Sequence, residues 1–400
     1  MINKIIVAST AGMWQIPMIL KAKELGCIIV AIDADPLAPG LQLADHVINT
    51  ELTDIETIYA ELQIITGQIS GALSYCSDAG MRLAELIMRH YNHDEAMILD
   101  SKLFTNKGAQ RNRWKDAGLP IPKFELFKDR TAALKYCINK QFPLVIKPTD
   151  SAGSRGVGIL KDRQDRDRLI NNAFYFSNEN QIIVEDYFEG TEYTVEIFAQ
   201  GGRIYPLLIT QKVKIEETGG TVSSELWTIP EGNEIYKVLA DLASDGYMAL
   251  NLKNGVGHME IIRNPVTGEM IIVEAAARGG GFNLASQLIP ACTGIDFAKL
   301  SLSLYLDFES EFKPKYYRPS VLFFVPSEKG TFKNIQGVEV CNEIPGVFVE
   351  VLAKVGQRFS SPNSDADRIC SVVISASDES KLREKVEKVK SMLMIHFNGE

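Results

Sequence analysis

At 400 residues the chain is too long for one ordinary core, so two or three domains are expected. A hydrophobic share of 46%, a charged share of 23% and a net charge of −9 describe a soluble globular protein. They argue against a nucleic-acid surface. Six cysteines, at 27, 76, 137, 292, 341 and 370, show no C-x-x-C or Cys/His spacing, and free buried thiols in a reducing compartment are expected.

Lys4 precedes an apolar stretch that runs to Leu20, but Gly12, Gln15 and Pro17 interrupt it. Strand, turn and helix fit it better than a signal peptide. No window reaches the roughly 18 uninterrupted apolar residues of a membrane span. A cytoplasmic protein without a membrane partner is the expectation.

Residues 2 to 8 read as a strand, Ser9 to Gly12 as a turn, and Ile16, Ile19, Leu20 and Ala22 as one side of a helix. Gly26 ends that helix and Cys27 to Ile32 forms a second strand closing at Asp33. This is a βαβ unit and hence a parallel sheet. Asp45–Ile48 and Gly71–Cys76 continue the alternation, so residues 1 to 95 are expected to be a small doubly wound domain. Its ligand end would hold the Ser9–Gly12 turn and Asp33, although the dinucleotide glycine fingerprint is missing. Residues 96 to 122 read as a helical connector with Lys107 and Arg111 one turn apart on one face.

The most informative stretch is FPLVIKPTDSAGSRGVG, Phe142 to Gly158. An apolar strand ends in Lys147 and runs into a loop with glycines at 153, 156 and 158. Glycines let backbone N–H groups approach a polyphosphate, and the lysine supplies a point charge. The order fits neither a P-loop nor a dinucleotide fingerprint. Taken alone, it is equally a glycine-rich surface turn. Lys161 to Arg168 alternates in sign and reads as a solvated helix face. Gln181–Glu185 is the next strand.

In the stretch 185–202, Glu192, Thr194 and Glu196 fall on one face of a strand, with Tyr193, Val195 and Ile197 on the other. Gly201-Gly202 is a hairpin turn. Glu216 to Trp227 is expected to be a mobile active-site loop. Gly257–Ile262 and Glu269–Ala275 form an antiparallel pair, which brings Glu260 and Glu274 to adjacent strands. Strand register decides whether they share a face. If they do, two carboxylates together call for a cation, and Mg²⁺ takes such oxygen ligands. Otherwise they are two exposed strand glutamates. Arg278-Gly279-Gly280-Gly281 follows with a guanidinium fork on flexible backbone. From Phe308 the chain is rich in strands and turns, with Arg368–Ile374 as the expected last strand. Leu382, Val386, Val389 and Leu393 form a final helical stripe.

In order and spacing this set resembles the ATP-grasp superfamily, in its carboxylate–amine ligase branch with biotin-carboxylase-like domain order. The resemblance spans nearly the whole chain. It implies an α/β and α+β chain with a pre-ATP-grasp domain (1–95), an ATP-grasp domain (96–306) and a C-terminal β-rich domain (307–400). ATP and Mg²⁺, with Mn²⁺ as a substitute, are the implied cofactors.

The resemblance also implies roles. Lys107 and Lys147 would contact phosphates, and the loop carrying Ser151, Ser154, Arg155 and Gly156 would fold over the last of them. Glu185 with the backbone of Asp186, Tyr187 and Phe188 would read the adenine, and Glu192 would hold the ribose. Glu260 and Glu274 would carry metal. Arg278 and Lys147 would be catalytic, stabilising charge on the transferred phosphoryl. One position departs: where the family has asparagine two residues after the second glutamate, this chain has Ala276, which cannot ligate.

The implied reaction turns a carboxylate into an acyl phosphate that an amine then attacks, with release of ADP and phosphate. The partners would be small-molecule carboxylates and amines of amino-acid or sugar-acid type, and a homodimer is one state the resemblance allows. Two alternatives stay open. One is a bicarbonate-activating or carbamoyl-phosphate-type enzyme; the other is a catalytically silent nucleotide binder, which Ala276 keeps in play. Ser9, Thr10, the 216–227 loop with Ser224 and Trp227, and the region after Arg278 are the expected substrate contacts. His258, two residues before Glu260, could orient substrate or be purely structural.

Overall fold

The computed structural model describes residues 4–218, 220–360 and 364–398. Ile2, Asn3 and Gly219, assigned above to a strand and a loop, lie outside the described residues.

The first unit is a parallel sheet of β1 (Lys4–Ala8), β2 (Ile28–Asp33), β3 (His46–Asn49) and β4 (Gln68–Leu73), in spatial order β3-β2-β1-β4. Ile5, Val7, Val30 and Ile32 pack against α2 (Ile55–Gln63) and α3 (Met81–His90), while Ile6, Ala8 and Ala31 face α1 (Ile16–Glu24). Helices on both faces explain why these strands read as unbroken apolar runs. Strand order reverses between β1 and β4, so their carboxyl ends frame a crevice. Ser9 and Thr10 leave one side of it, and Ser74 to Asp78 leave the other.

The connector is two short helices, α4 (Ser101–Thr105) and α5 (Lys107–Asp116). They break at Asn106, whose side chain caps α5 by accepting from the Ala109 N–H at 3.0 Å. Next come β5 (Phe124–Phe127), α6 (Arg130–Ile138), β6 (Leu144–Pro148), β7 (Gly158–Leu160), α7 (Arg166–Tyr175) and β8 (Ile182–Asp186). Their strands form an antiparallel sheet, β5-β8-β6-β7. Leu144, Ile146, Ile182 and Val184 bury one face under α6 and α7. By alternation Lys147 and Glu185 lie on the other. The 161–168 run is a turn up to Asp165, and helix begins only at Arg166.

The larger sheet is built from β9 (Thr191–Gln200), β10 (Arg203–Lys214), β11 (Ser223–Ile229), β12 (Gly255–Arg263) and β13 (Met270–Ala276), with α8 (Tyr236–Ala249) inserted before β12. The remaining chain supplies α9 (Ile289–Thr293), α10 (Phe297–Ser303), β14 (Ser320–Pro326), β15 (Gly330–Gln336), α11 (Val338–Asn342), β16 (Val347–Val351), β17 (Arg358–Phe359), β18 (Arg368–Ser375), α12 (Glu379–Met392) and β19 (Met394–Asn398). Strands from both regions join one eight-stranded sheet, β13-β12-β9-β10-β11-β14-β18-β16.

Two expectations are corrected. Ser223–Trp227 is strand, paired to β10 and, at Glu225–Trp227, also to β14, so the loop shrinks to the residues between Lys214 and Ser223. Trp227 packs into the C-terminal core, with Arg383 5.0 Å from its ring centroid. Arg368–Ile374 is also not the last strand, because β19 follows α12 and pairs with β15.

Beneath the sheet, Tyr193, Val195, Ile197, Ile209, Met259, Ile261 and Ala275 pack with α8 and with Trp114 of α5. Trp114 is fully buried and its Nε1–H donates to the Gly246 carbonyl at 3.0 Å. Trp114→Ala should therefore cost about 3–5 kcal/mol of stability, and Trp114→Phe, which loses chiefly the hydrogen bond, about 1–2 kcal/mol. Urea unfolding midpoints of the two variants check that order.

Candidate active site

The polar face of the large sheet carries the candidate residues. Glu260 of β12 stands directly opposite Glu274 of β13, so the two carboxylates do share a face. Counting back from the 264–268 turn would instead pair Glu260 with Val273. A register shift between Glu260 and Ile261 inserts the extra residue and turns Glu274 away from the core side. The displaced Val273 carbonyl accepts from Arg111 at 2.7 Å.

A second bulge acts on β9 and β10. The ladder slips between Pro206 and Leu208, at a proline that has no N–H to give. Thr194 then faces Thr210, their hydroxyls 2.7 Å apart, and Lys212 reaches Glu192. Across the four strands the polar face now reads Glu274, Glu260, Glu192 and Lys212. Lys212 Nζ lies 2.5 Å from Glu192 and also donates to Glu260, while Lys214 takes the other Glu192 oxygen at 2.7 Å. Burial pushes Glu260 and Glu192 up, but Lys212 together with Lys214, and with His258 at Glu260, outweighs it, and both carboxyls fall below their usual range.

The second sheet faces this row with Lys147 and Glu185. Glu185 is buried and both its oxygens meet cations: Arg111 Nε at 2.7 Å and Lys147 Nζ at 2.7 Å. Burial would raise this carboxyl, yet Arg111 and Lys147 hold it below its normal value. For Lys147 burial wins over Glu185, and its pKa falls.

Helix α5 ties the two sheets together. Its buried side carries Lys107, Gln110, Arg111 and Trp114. Lys107 Nζ donates to Glu274 at 2.9 Å and to the Ser151 carbonyl at 2.7 Å. Gln110 covers the outer edge of β13, giving to the Ala275 carbonyl and accepting from its N–H.

Between the sheets runs the loop 149–157. Gly156 has φ +75°, and a Cβ there would fall 2.8 Å from Pro148 Cγ, so the turn needs glycine. Asp150 anchors the loop by accepting from Ser177 Oγ and the Glu179 N–H, each at 2.8 Å. Ser154 Oγ donates to the Thr221 carbonyl at 3.3 Å, so this loop meets the one that joins β10 to β11. Arg155 turns back to the Ala152 carbonyl at 3.1 Å. The N–H groups of Asp186 and Tyr187 are engaged by the Lys123 and Pro143 carbonyls, and the Tyr187 ring is exposed.

Arg278, expected to stabilise charge on a transferred phosphoryl, is held by a carboxylate. It forks onto Asp78, Nε to Oδ1 at 2.7 Å and a terminal nitrogen to Oδ2 at 2.8 Å, pinning the segment after β13 to the crevice of the first sheet. Ser9 and Thr10 reach that crevice with buried hydroxyls that lack partners. His258 faces Ala276 across the ladder, and its Nδ1 lies 2.5 Å from the fully buried Glu196.

Lys212, Lys214 and Asp78 were not singled out in the sequence, whereas Glu196 was placed there only on the Glu192 face of its strand. The lysines left a trace in the alternation Thr210-Lys212-Lys214 after the hairpin; Asp78 left none, being 200 residues from its partner. Two carboxylates, Glu260 and Glu274, with Lys212 as a stand-in cation on the first, fit a hard divalent ion. Among the described residues no group of three or more acidic, His or Cys side chains forms a ready-made cluster, so water or ligand oxygens must complete such a shell. No helix among the described residues is long and apolar enough to cross a membrane.

The family model described as ATP-grasp domain matches residues 140–286. The chain carries an ATP-grasp domain. The match spans β6 through the Arg278 glycine segment, and the model for L-amino acid ligase C-terminal domain 2 matches residues 322–398. The chain is 22% identical over 307 residues to the L-arginine-specific L-amino acid ligase of Bacillus subtilis, covering 74% of this chain and 73% of that protein. Its fold is similar to the crystal structure of L-amino acid ligase from Bacillus licheniformis, with a TM-score of 0.82 at 18% identity over 100% of this chain and 99% of that one. N5-carboxyaminoimidazole ribonucleotide synthetase from Thermotoga maritima is similar with a TM-score of 0.74, also at 18% identity, over 100% of both chains. The ATP-grasp architecture expected from the sequence is therefore present.

The pair of His258 and Glu196 in this ATP-grasp domain carries a pH signature. Burial would strip the imidazolium proton, but Glu196 and then Glu260 more than offset that and hold the pKa up at about 9. A raised folded-state pKa adds stability that is complete below the unfolded value near 6.5 and is lost as pH rises through 9. Wild type should lose a few kcal/mol between pH 6 and pH 10 that His258→Gln does not lose. Urea midpoints at the two pH values measure the difference.

Proposed function

We propose that the protein is an ATP-dependent ligase that activates a carboxylate as an acyl phosphate and joins it to an amine, with amino acids as the substrate class. The observation that carries this reading is the bulged register that sets Glu260 opposite Glu274, with Lys107 and Lys147 brought to the same space from other parts of the chain. Support for amino acids comes from the match to an L-amino acid ligase C-terminal domain and from the Bacillus relatives.

Glu260 and Glu274 would hold Mg²⁺, which would neutralise oxygens of the phosphoryl group in transfer. Each lysine keeps donors beyond those already used: Lys147 gives one N–H to Glu185 and Lys107 two to Glu274 and Ser151. Those remaining donors would be available to phosphate oxygens. Glu185 spends both oxygens on cations, so it acts as the positioning residue for Lys147. Adenine recognition then falls to the backbone around Asp186–Phe188, and Glu192, steadied by Lys214, is the ribose acceptor. The loop carrying Ser151, Ser154, Arg155 and Gly156 excludes water above the phosphates. Arg278 is steered by Asp78 toward the crevice with Ser9 and Thr10, where the carboxylate substrate would lie.

Phosphoryl transfer of this kind needs alignment and charge neutralisation more than covalent help. Phosphate release measured over a matrix of amino acids, singly and in pairs, tests the proposal. A signal that requires an amino-acid pair supports it. Release driven by bicarbonate alone would move the assignment to carboxylation, and no release with any acid would leave a silent nucleotide binder. Lys147→Ala should lower the pair-dependent rate about a thousandfold.

A further inference from the structure

Lys212 was not anticipated as part of the site, yet it occupies its electrostatic centre. Its ammonium bridges Glu192 and Glu260, carboxylates of two adjacent strands, and its side chain is 10% exposed. The other metal-side carboxylate, Glu274, is engaged in the same manner by Lys107. Lys214 stays on the second Glu192 oxygen, so Glu192 remains paired if Lys212 leaves. His258 Nε2 stands 3.7 Å from Glu260 on the far side. Glu192, Glu260 and Glu274 thus face Lys107, Lys212 and Lys214 at short range, three carboxylates against three ammonium groups.

A bare dication approaching such a matched set meets no net attraction, and it must first separate an ammonium from a carboxylate in a partly dry site. A dication that arrives with a polyanion brings its own new partner for the displaced ammonium. The geometry points to Lys212 as a built-in counter-cation: it holds Glu260 and Glu192 in place without ligand, and it yields Glu260 only when metal enters together with nucleotide. Lys212 is a positioning residue in this role, and the inference rests on the reading of Glu260 and Glu274 as the metal carboxylates. It makes metal and nucleotide bind cooperatively, and it keeps free divalent ions from filling the site alone.

The test is Mn²⁺ binding to the full chain, followed by electron paramagnetic resonance with and without ADP. Wild type should bind Mn²⁺ weakly alone and much more tightly with ADP. Lys212→Met should bind Mn²⁺ alone at least tenfold more tightly than wild type, and Lys212→Arg, which keeps the charge, should match wild type. Lys212→Gln replaces the methionine variant if thermal unfolding shows that the latter is not folded. Equal Mn²⁺ affinity in wild type and both neutral variants, with the ADP complex intact, overturns the counter-cation role alone. Absence of any ADP-dependent Mn²⁺ signal in wild type overturns the nucleotide reading beneath it.

Discussion

A carboxylate removed from water must find cations, and Glu185 finds two from different parts of the chain. Arg111 comes from the connector helix and Lys147 from the neighbouring strand of the small sheet. Because Arg111 also holds the Val273 carbonyl, and Lys107 one turn earlier holds Glu274, the same helix fixes the edge of the large sheet. The two halves of the ATP-grasp domain are thereby referred to one rigid element, and the space between them acquires a defined set of charges. Remove that triad and the hydrogen bonds of Lys107 and Gln110 still tie α5 to the large sheet, while Lys147 loses its tie to the helix.

Much of this was legible in the chain. The apolar strand ending at Lys147, its glycine loop, and the two hairpin glutamates are local patterns, and local patterns survive the step from sequence to structure. Alternation along Thr191–Gln200 was also legible, because one face is packed on α8 and cannot be anything but apolar. What failed to show was register. At both hairpins a single extra residue changes which side chains share the polar face, and a bulge is a compromise between strands that neither strand announces alone. Glu274 and Lys212 are in the site because of it.

Long-range ion pairs were illegible for a related reason. Asp78 and Arg278 belong to different folding units, and only the docking of the first sheet onto the glycine segment makes them neighbours. The stretch Glu216–Trp227 misled in the opposite sense. Its polar composition looks like a loop, but from Ser223 onward it is a strand between two others, with its polar residues tied to Lys390 and to the Val213 carbonyl.

The joint sheet has a further consequence for anyone who would divide the molecule. β11 has β10 on one side and β14 on the other, so the seam between the ATP-grasp half and the terminal region is a ladder of main-chain hydrogen bonds instead of a hinge. Cutting the chain near residue 307 would unpair Glu225–Trp227 of β11 from β14 and leave an adhesive rim seeking another strand. The terminal region is thus a fastening for the strands that carry the candidate site, and either piece on its own exposes an unpaired strand edge.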